Sequence, residues 1–170
     1  MTIGEFAHWL EGRAPLMLQE SYDNSGLLVG RRDRPITGVL CCLDADEAVV
    51  QEAVSRGCNL VLSHHPVIFK GLKQITGATA VERTVELAIS RGVALYAGHT
   101  NWDSIQGGVS FSLAKRLGIR DAKIMMPRSG ELLLWVLMRL MQILTESALY
   151  VFAVAFATVE LVIFNHDHAP

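Results

Sequence analysis

The chain has 170 residues and a mass of 18.7 kDa, the size of one ordinary domain with room for a sizeable core, or of two small lobes. Its formal charge of −2 and pI near 6.3 exclude an electrostatic case for nucleic acid, which needs a clustered excess of Lys and Arg, and leave small molecules as the expected partners. Three cysteines, Cys41, Cys42 and Cys58, two of them adjacent and all in apolar stretches, exclude a disulfide framework and point to buried free thiols in a reducing compartment.

The opening Met1-Thr2-Ile3-Gly4-Glu5 has neither a basic nor an apolar leader region, so the expected address is cytoplasmic. Thr2-x-x-Glu5 has the form of a capping box and opens a helix with Phe6, Trp9 and Leu10 on one face, halted by Gly12 and Pro15. Segments 26–30 and 36–43 are apolar, bounded by turn residues, and read as strands, the second well buried and followed by Asp44. From Asp46 to Arg56, Val49, Val50, Ala53 and Val54 recur at helical spacing, and Gly57 suits the position just past the helix end. Leu60-Val61-Leu62 is the next strand and runs into Ser63-His64-His65-Pro66. Thr79-x-x-Glu82 is a second capping box, ahead of Val81, Val85, Ala88 and Ile89, and Gly92 closes that helix. Segment 93–97 returns to the sheet and delivers Gly98-His99-Thr100-Asn101-Trp102-Asp103. A further helix over about 108–117 carries Val109, Leu113 and Leu117 and ends at Gly118.

Strands alternating with helices imply an α/β fold, a largely parallel sheet flanked by helices with right-handed crossovers. His64 and His99 follow Gly57 and Gly92 at the same offset, which predicts equivalent heights on two strands. In such sheets ligands gather beyond the carboxyl ends of the strands, where His64, His65, His99 and Asp103 fall. Neighbouring strand ends lie roughly 5 Å apart, close enough for these side chains to meet at one or two ions.

Imidazoles with a carboxylate favour Zn, Fe, Mn or Co over an all-oxygen calcium site. Adjacent residues on an extended segment point to opposite sides, so His64 and His65 are expected to serve two ions, a dinuclear centre with Asp103 as carboxylate ligand or bridge. Two ions roughly 3.5–4 Å apart can bridge and acidify a water for hydrolysis. Taken alone, Ser-His-His-Pro also reads as a turn whose histidines cap backbone groups; the echo at His99 and Asp103 favours the metal. His8 reads as a surface residue, and His166 and His168 as tail residues outside any ligand set. Asp23 and Asn24 are ordinary turn residues before Gly26, with a role at the edge of the site as the alternative. Lys70 and Lys73 flank Gly71 and suit a phosphate or other anion, or are solvated loop lysines. Asn24 and Lys70 are therefore the substrate-binding candidates.

The runs Tyr22 to Gly30, Asn59 to Lys73 and Tyr96 to Asp103, with Gly108-Val109, resemble one family: the dinuclear metal-centre hexameric proteins called GTP cyclohydrolase 1 type 2 homologues. The resemblance covers roughly Met1 to Leu132, the family's N-terminal half, and implies His64, His65 and Asp103 as metal ligands with His99 nearby. It implies two related lobes, of which residues 1–131 supply one metal-binding α/β lobe, two metals per site, and a toroidal hexamer with the metals facing an internal cavity. It further implies an inserted domain in long bacterial forms, and metal-dependent opening of the GTP imidazole ring in some members. The family completes its site with a His-x-x-x-Glu element near its C-terminus, and neither Glu131, Glu146 nor Glu160 has a histidine four residues before it. One weakly held ion is then expected in place of a tightly bridged pair.

Residues 132–170 form a second segment of different character: up to Phe164 it is almost wholly apolar, broken mainly by Arg139, Gln142, Glu146 and Glu160. Three readings stand open: the product of a reading-frame change, which leads; a membrane-inserting stretch, since 148–164 is near the roughly 17–25 residues of a span; or a pair of buried helices. The functional expectation is a divalent-metal-binding protein whose activated water hydrolyses a heterocyclic or nucleotide substrate, with low or no activity in this chain. The alternative is a non-catalytic metal-binding scaffold that forms ring-like homo-oligomers.

Overall fold

In a computed structural model, which describes residues 1–124 and the two strands Met126–Arg128 and Glu131–Leu133, the chain opens with helix α1, Ile3–Arg13. Both halves of its capping box form: Glu5 N–H donates to Thr2 Oγ1 at 3.2 Å and Thr2 N–H to the Glu5 carboxylate at 2.7 Å. The buried stripe is Ile3, Ala7 and Leu10. Trp9 lies off it, 48% exposed, stacked on Phe6 and covered by the Arg13 guanidinium 4.5 Å from its ring. A single 3₁₀ turn at Leu16–Leu18 leads to strands β1, Gly26–Val29, and β2, Val39–Cys42. Helix α2, Glu47–Ser55, then strand β3, Leu60–Ser63, helix α3, Ala80–Arg91, and strand β4, Ala94–Ala97, complete two crossovers. Gly92 caps α3 in the left-handed region at φ +67°, a conformation its lack of a Cβ permits.

The sheet order is β1-β4-β3-β2, with β2, β3 and β4 parallel. The edge strand β1 runs antiparallel to β4, the one departure from a parallel arrangement. Period-2 alternation feeds two hydrophobic layers. Val61 and Leu95 pack with Val50 and Ala53 of α2 and Val85 and Ala88 of α3, while Leu60, Ala94 and Tyr96 pack with Ile3, Ala7 and Leu10 of α1. Cys58 is buried and Cys41 and Cys42 half-buried, all three free, and burial pushes the Cys42 thiol up to about 12.

Two short helices follow β4: α4, Thr100–Asp103, which no periodicity announced, and α5, Val109–Arg116. Their corner closes on Gly108, where an added Cβ would lie 2.8 Å from the Ile105 side chain and 3.0 Å from its carbonyl oxygen. Gly108→Ala is expected to destabilise the fold by about 1–3 kcal/mol, the usual cost of forcing atoms into a closed contact. Urea denaturation checks this, and an unchanged midpoint would mean the corner is open.

Strands β5, Met126–Arg128, and β6, Glu131–Leu133, pair as an antiparallel hairpin. The rest of the apolar segment lies outside the described residues, and with it His166, His168 and the three readings given above. Among the described residues no helix is long and apolar enough to cross a membrane.

Candidate metal centre

Strands β3 and β4 end side by side, with Ser63 paired to Ala97. Gly98 therefore stands opposite His64, and His99 one residue further on, because the connection from Gly57 into β3 is a residue longer than that from Gly92 into β4. Equal heights, expected from the glycine offsets, give way to this one-residue stagger. Past Ser63 the backbone leaves the sheet: His64 N–H donates to the Cys42 and Leu43 carbonyls, each at 3.2 Å, and His65 N–H to Leu43 at 2.9 Å. The alternation of an extended strand ends there, so His64 and His65 do not diverge as expected. Their ring centroids lie 4.9 Å apart, and the His99 ring lies 5.1 Å from His64 and 5.6 Å from His65. One ring nitrogen from each of the three comes within 4.8 Å of the other two.

Every ring is held by its Nδ1. His64 Nδ1 meets the Gly98 carbonyl at 3.0 Å, His65 Nδ1 meets Asp44 Oδ1 at 2.7 Å, and His99 Nδ1 meets Asp23 Oδ1 at 2.7 Å. A carbonyl or carboxylate only accepts, so each Nδ1 donates there, and in a neutral imidazole so held Nε2 is the nitrogen with a lone pair to offer. Burial, reinforced by the neighbouring His65 and His99, pushes His64 down to about 4, which leaves it neutral at pH 7.

Asp23 does more than make a turn. Its side chain has no exposed surface, and its carboxylate accepts from His99 Nδ1, from the Asn24 and Thr100 N–H groups at 2.7 and 3.1 Å, and from the Ser25 and Thr100 hydroxyls. Burial opposes the charge, but the bonds from His99, Thr100 and Asn24 outweigh it and hold the carboxyl far below the usual range. Asp103, on α4, is buried, and its Oδ1 lies 4.0 Å from His64 Nε2 with no hydrogen-bond partner among the described residues. Burial pushes its carboxyl up to about 7, against the pull of His99 and with a further push from Asp23. Asn101 ties α4 down, donating to the Ala14 carbonyl at 2.8 Å while its Oδ1 accepts His99 N–H at 3.1 Å.

The structure thus brings His64, His65 and His99 together with Asp103 beside them. Asn24 spends its side-chain amide on the Ile68 carbonyl at 2.6 Å, pinning the loop after the histidine pair. Lys70 and Lys73 are exposed in that loop, and His8 is exposed on α1. Sequence reasoning gave Asp23 a place at the edge of the site only as the alternative to a turn residue, and missed the orienting roles of Asp44 and Asn101. The one available signal was the placement of Asp23 and Asp44 beside strand ends.

A family model described as Duf34/NIF3 (NGG1p interacting factor 3) matches residues 1–161. A Clostridium perfringens protein named "GTP cyclohydrolase 1 type 2 homolog" is 39% identical over 125 residues, 74% of this chain and 48% of the relative. Among solved structures, the Staphylococcus aureus protein SA1388 superposes with a TM-score of 0.70 at 38% identity, covering 75% of this chain and 41% of that one. A Bacillus cereus protein related to NIF3 superposes with a TM-score of 0.70 at 36% identity, covering 75% and 35%. The chain spans less than half the length of each of these relatives.

Proposed function

We propose, for a chain that belongs to the Duf34/NIF3 family, that His64, His65 and His99 with Asp103 hold a divalent ion of the Zn, Fe, Mn or Co class for hydrolysis of a heterocyclic or nucleotide substrate. The observation that carries this reading is the buried Asp103 Oδ1, without a hydrogen-bond partner among the described residues, beside three imidazoles whose Nδ1 atoms are engaged by oxygens. Three imidazole nitrogens and one carboxylate suit a borderline divalent ion. When bound, such an ion supplies a Lewis acid that acidifies water and polarises the substrate. The chain's own residues prepare the site: Asp23, Asp44 and the Gly98 carbonyl orient the rings, and burial keeps His64 neutral.

The name carried by the Clostridium perfringens relative makes opening of the GTP imidazole ring the first activity to assay. One ion per chain and low turnover are expected, in a cytoplasmic ring-like homo-oligomer whose family form is a hexamer. A second reading puts the same donors in a non-catalytic metal-binding scaffold. Elemental analysis and a GTP ring-opening assay on the protein and on His65→Ala separate them. About one ion per chain is expected in the parent and under about a tenth of that in the variant. Metal with turnover supports the hydrolase, metal without turnover supports the scaffold, and no metal in either sample ends both.

A further inference from the structure

We infer that Phe69, with Tyr22 beside it, is a positioning surface that stacks a planar aromatic ring of the substrate next to the imidazole cluster. The inference takes the location of the reacting centre from the reading above and adds to it a surface for recognising ring faces. Phe69 is 44% exposed and Tyr22 65% exposed, with Phe69 against the His99 ring and Tyr22 against Phe69. The Phe69 ring lies 6.3 Å from the His99 ring at an interplanar angle of 89°, and the Tyr22 ring lies 6.4 Å from Phe69, tilted by 57°.

Three consecutive residues hold this arrangement. Asp23 grips His99, Asn24 donates to the carbonyl of Ile68 immediately before Phe69, and Tyr22 precedes both. One turn therefore sets the imidazole, the loop backbone carrying Phe69, and the second aromatic ring. Ordering exposed aromatic side chains costs entropy that burial does not return, which makes a placed and open pair informative. Isolated exposed apolar residues such as Met17 and Ile89 carry no such meaning. An aromatic ring prefers an offset-stacked or edge-on partner with centroids about 4.5–7 Å apart, and a heterocycle laid on Phe69 meets that geometry beside His99. Lys70, next in the chain and exposed, offers a cation to an anionic substituent on the same ligand.

The test compares calorimetric binding of guanosine 5′-monophosphate and ribose 5-phosphate to the full chain, to Phe69→Leu, to Phe69→Trp and to His65→Ala, with metal content measured for each. The parent is expected to prefer the nucleotide by roughly tenfold, the scale of one base stacked on one aromatic side chain. Phe69→Leu is expected to abolish the preference with metal content unchanged, and Phe69→Trp to keep it. His65→Ala is expected to lose metal and retain the preference. A metal-free parent that still prefers the nucleotide ends the metal reading and leaves this one standing. A preference that survives Phe69→Leu, or none in the parent, overturns the inference.

Discussion

Replacing Asp23 with alanine is expected to destabilise the protein by about 3–5 kcal/mol and to weaken divalent-metal binding by about 10–100-fold. The stability loss arises because five donors converge on this carboxylate: His99 Nδ1, two backbone N–H groups and the Ser25 and Thr100 hydroxyls. Donors left unsatisfied around a buried side chain cost far more than the net worth of their bonds. The loss in affinity arises because His99 no longer has its tautomer and ring plane imposed. Asp44→Ala is the control, since it removes the equivalent partner of His65 where the two side chains are 67% and 44% exposed. It is expected to change stability by less than about 1 kcal/mol. The Asp23 carboxyl is depressed in the fold, so its contribution is present above the ordinary value of 3.8 and is lost as pH falls below it. The gap between parent and Asp23→Ala should therefore hold at neutral pH and narrow in acid. Denaturant titrations of metal-free protein check both claims, and equal midpoints for Asp23→Ala and Asp44→Ala would refute them.

Zinc is expected to stabilise the parent through the proposed site, and His64→Ala is expected to abolish that stabilisation. For a ligand at a hundred times its dissociation constant that stabilisation is about 2.7 kcal/mol, visible as a rise in Tm. The ring is 2% exposed and contributes both one nitrogen of the cluster and a bond to the Gly98 carbonyl. Its loss leaves a cavity and an unsatisfied carbonyl, so the metal-free variant should also be less stable by about 2–4 kcal/mol. His64→Gln keeps a donor and most of the volume. It is expected to recover much of the stability and none of the zinc response, which separates ligation from packing. A zinc-dependent rise in Tm of parental size in His64→Ala would place the metal elsewhere.

Much of the architecture was readable because its signals are local. Thr2 with Glu5 and Thr79 with Glu82 announce helix starts through bonds spanning three residues, and Gly92 announces an end through its own φ. The alternation of Leu60 and Val61, or of Leu95 and Tyr96, requires two layers whatever the rest of the chain does. The same local grammar put Trp9 on a face with Phe6 and Leu10 but could not say that it stands exposed off the buried stripe of α1, and it had no signal for the single turn α4, set by Asn101 reaching back to Ala14.

The presence of His64, His65, His99 and Asp103 at the carboxyl ends of two parallel strands followed from residue order alone, because strand direction and helix crossovers leave the segments after β3 and β4 at one edge of the sheet. Their mutual geometry did not follow. Convergence of the adjacent histidines depends on a backbone turn over the end of β2, and the stagger of His99 on a one-residue difference between two connections. The orientation of His99 rests on Asp23, 76 positions earlier, and that of His65 on Asp44, 21 positions earlier. Such pairs meet only once β1 has joined β4 antiparallel and β2 has joined β3, so tertiary assembly alone decides which carboxylate faces which ring. Residue spacing specifies what stands at a strand end; the hydrogen bond that aims it is made with whatever the fold carries alongside.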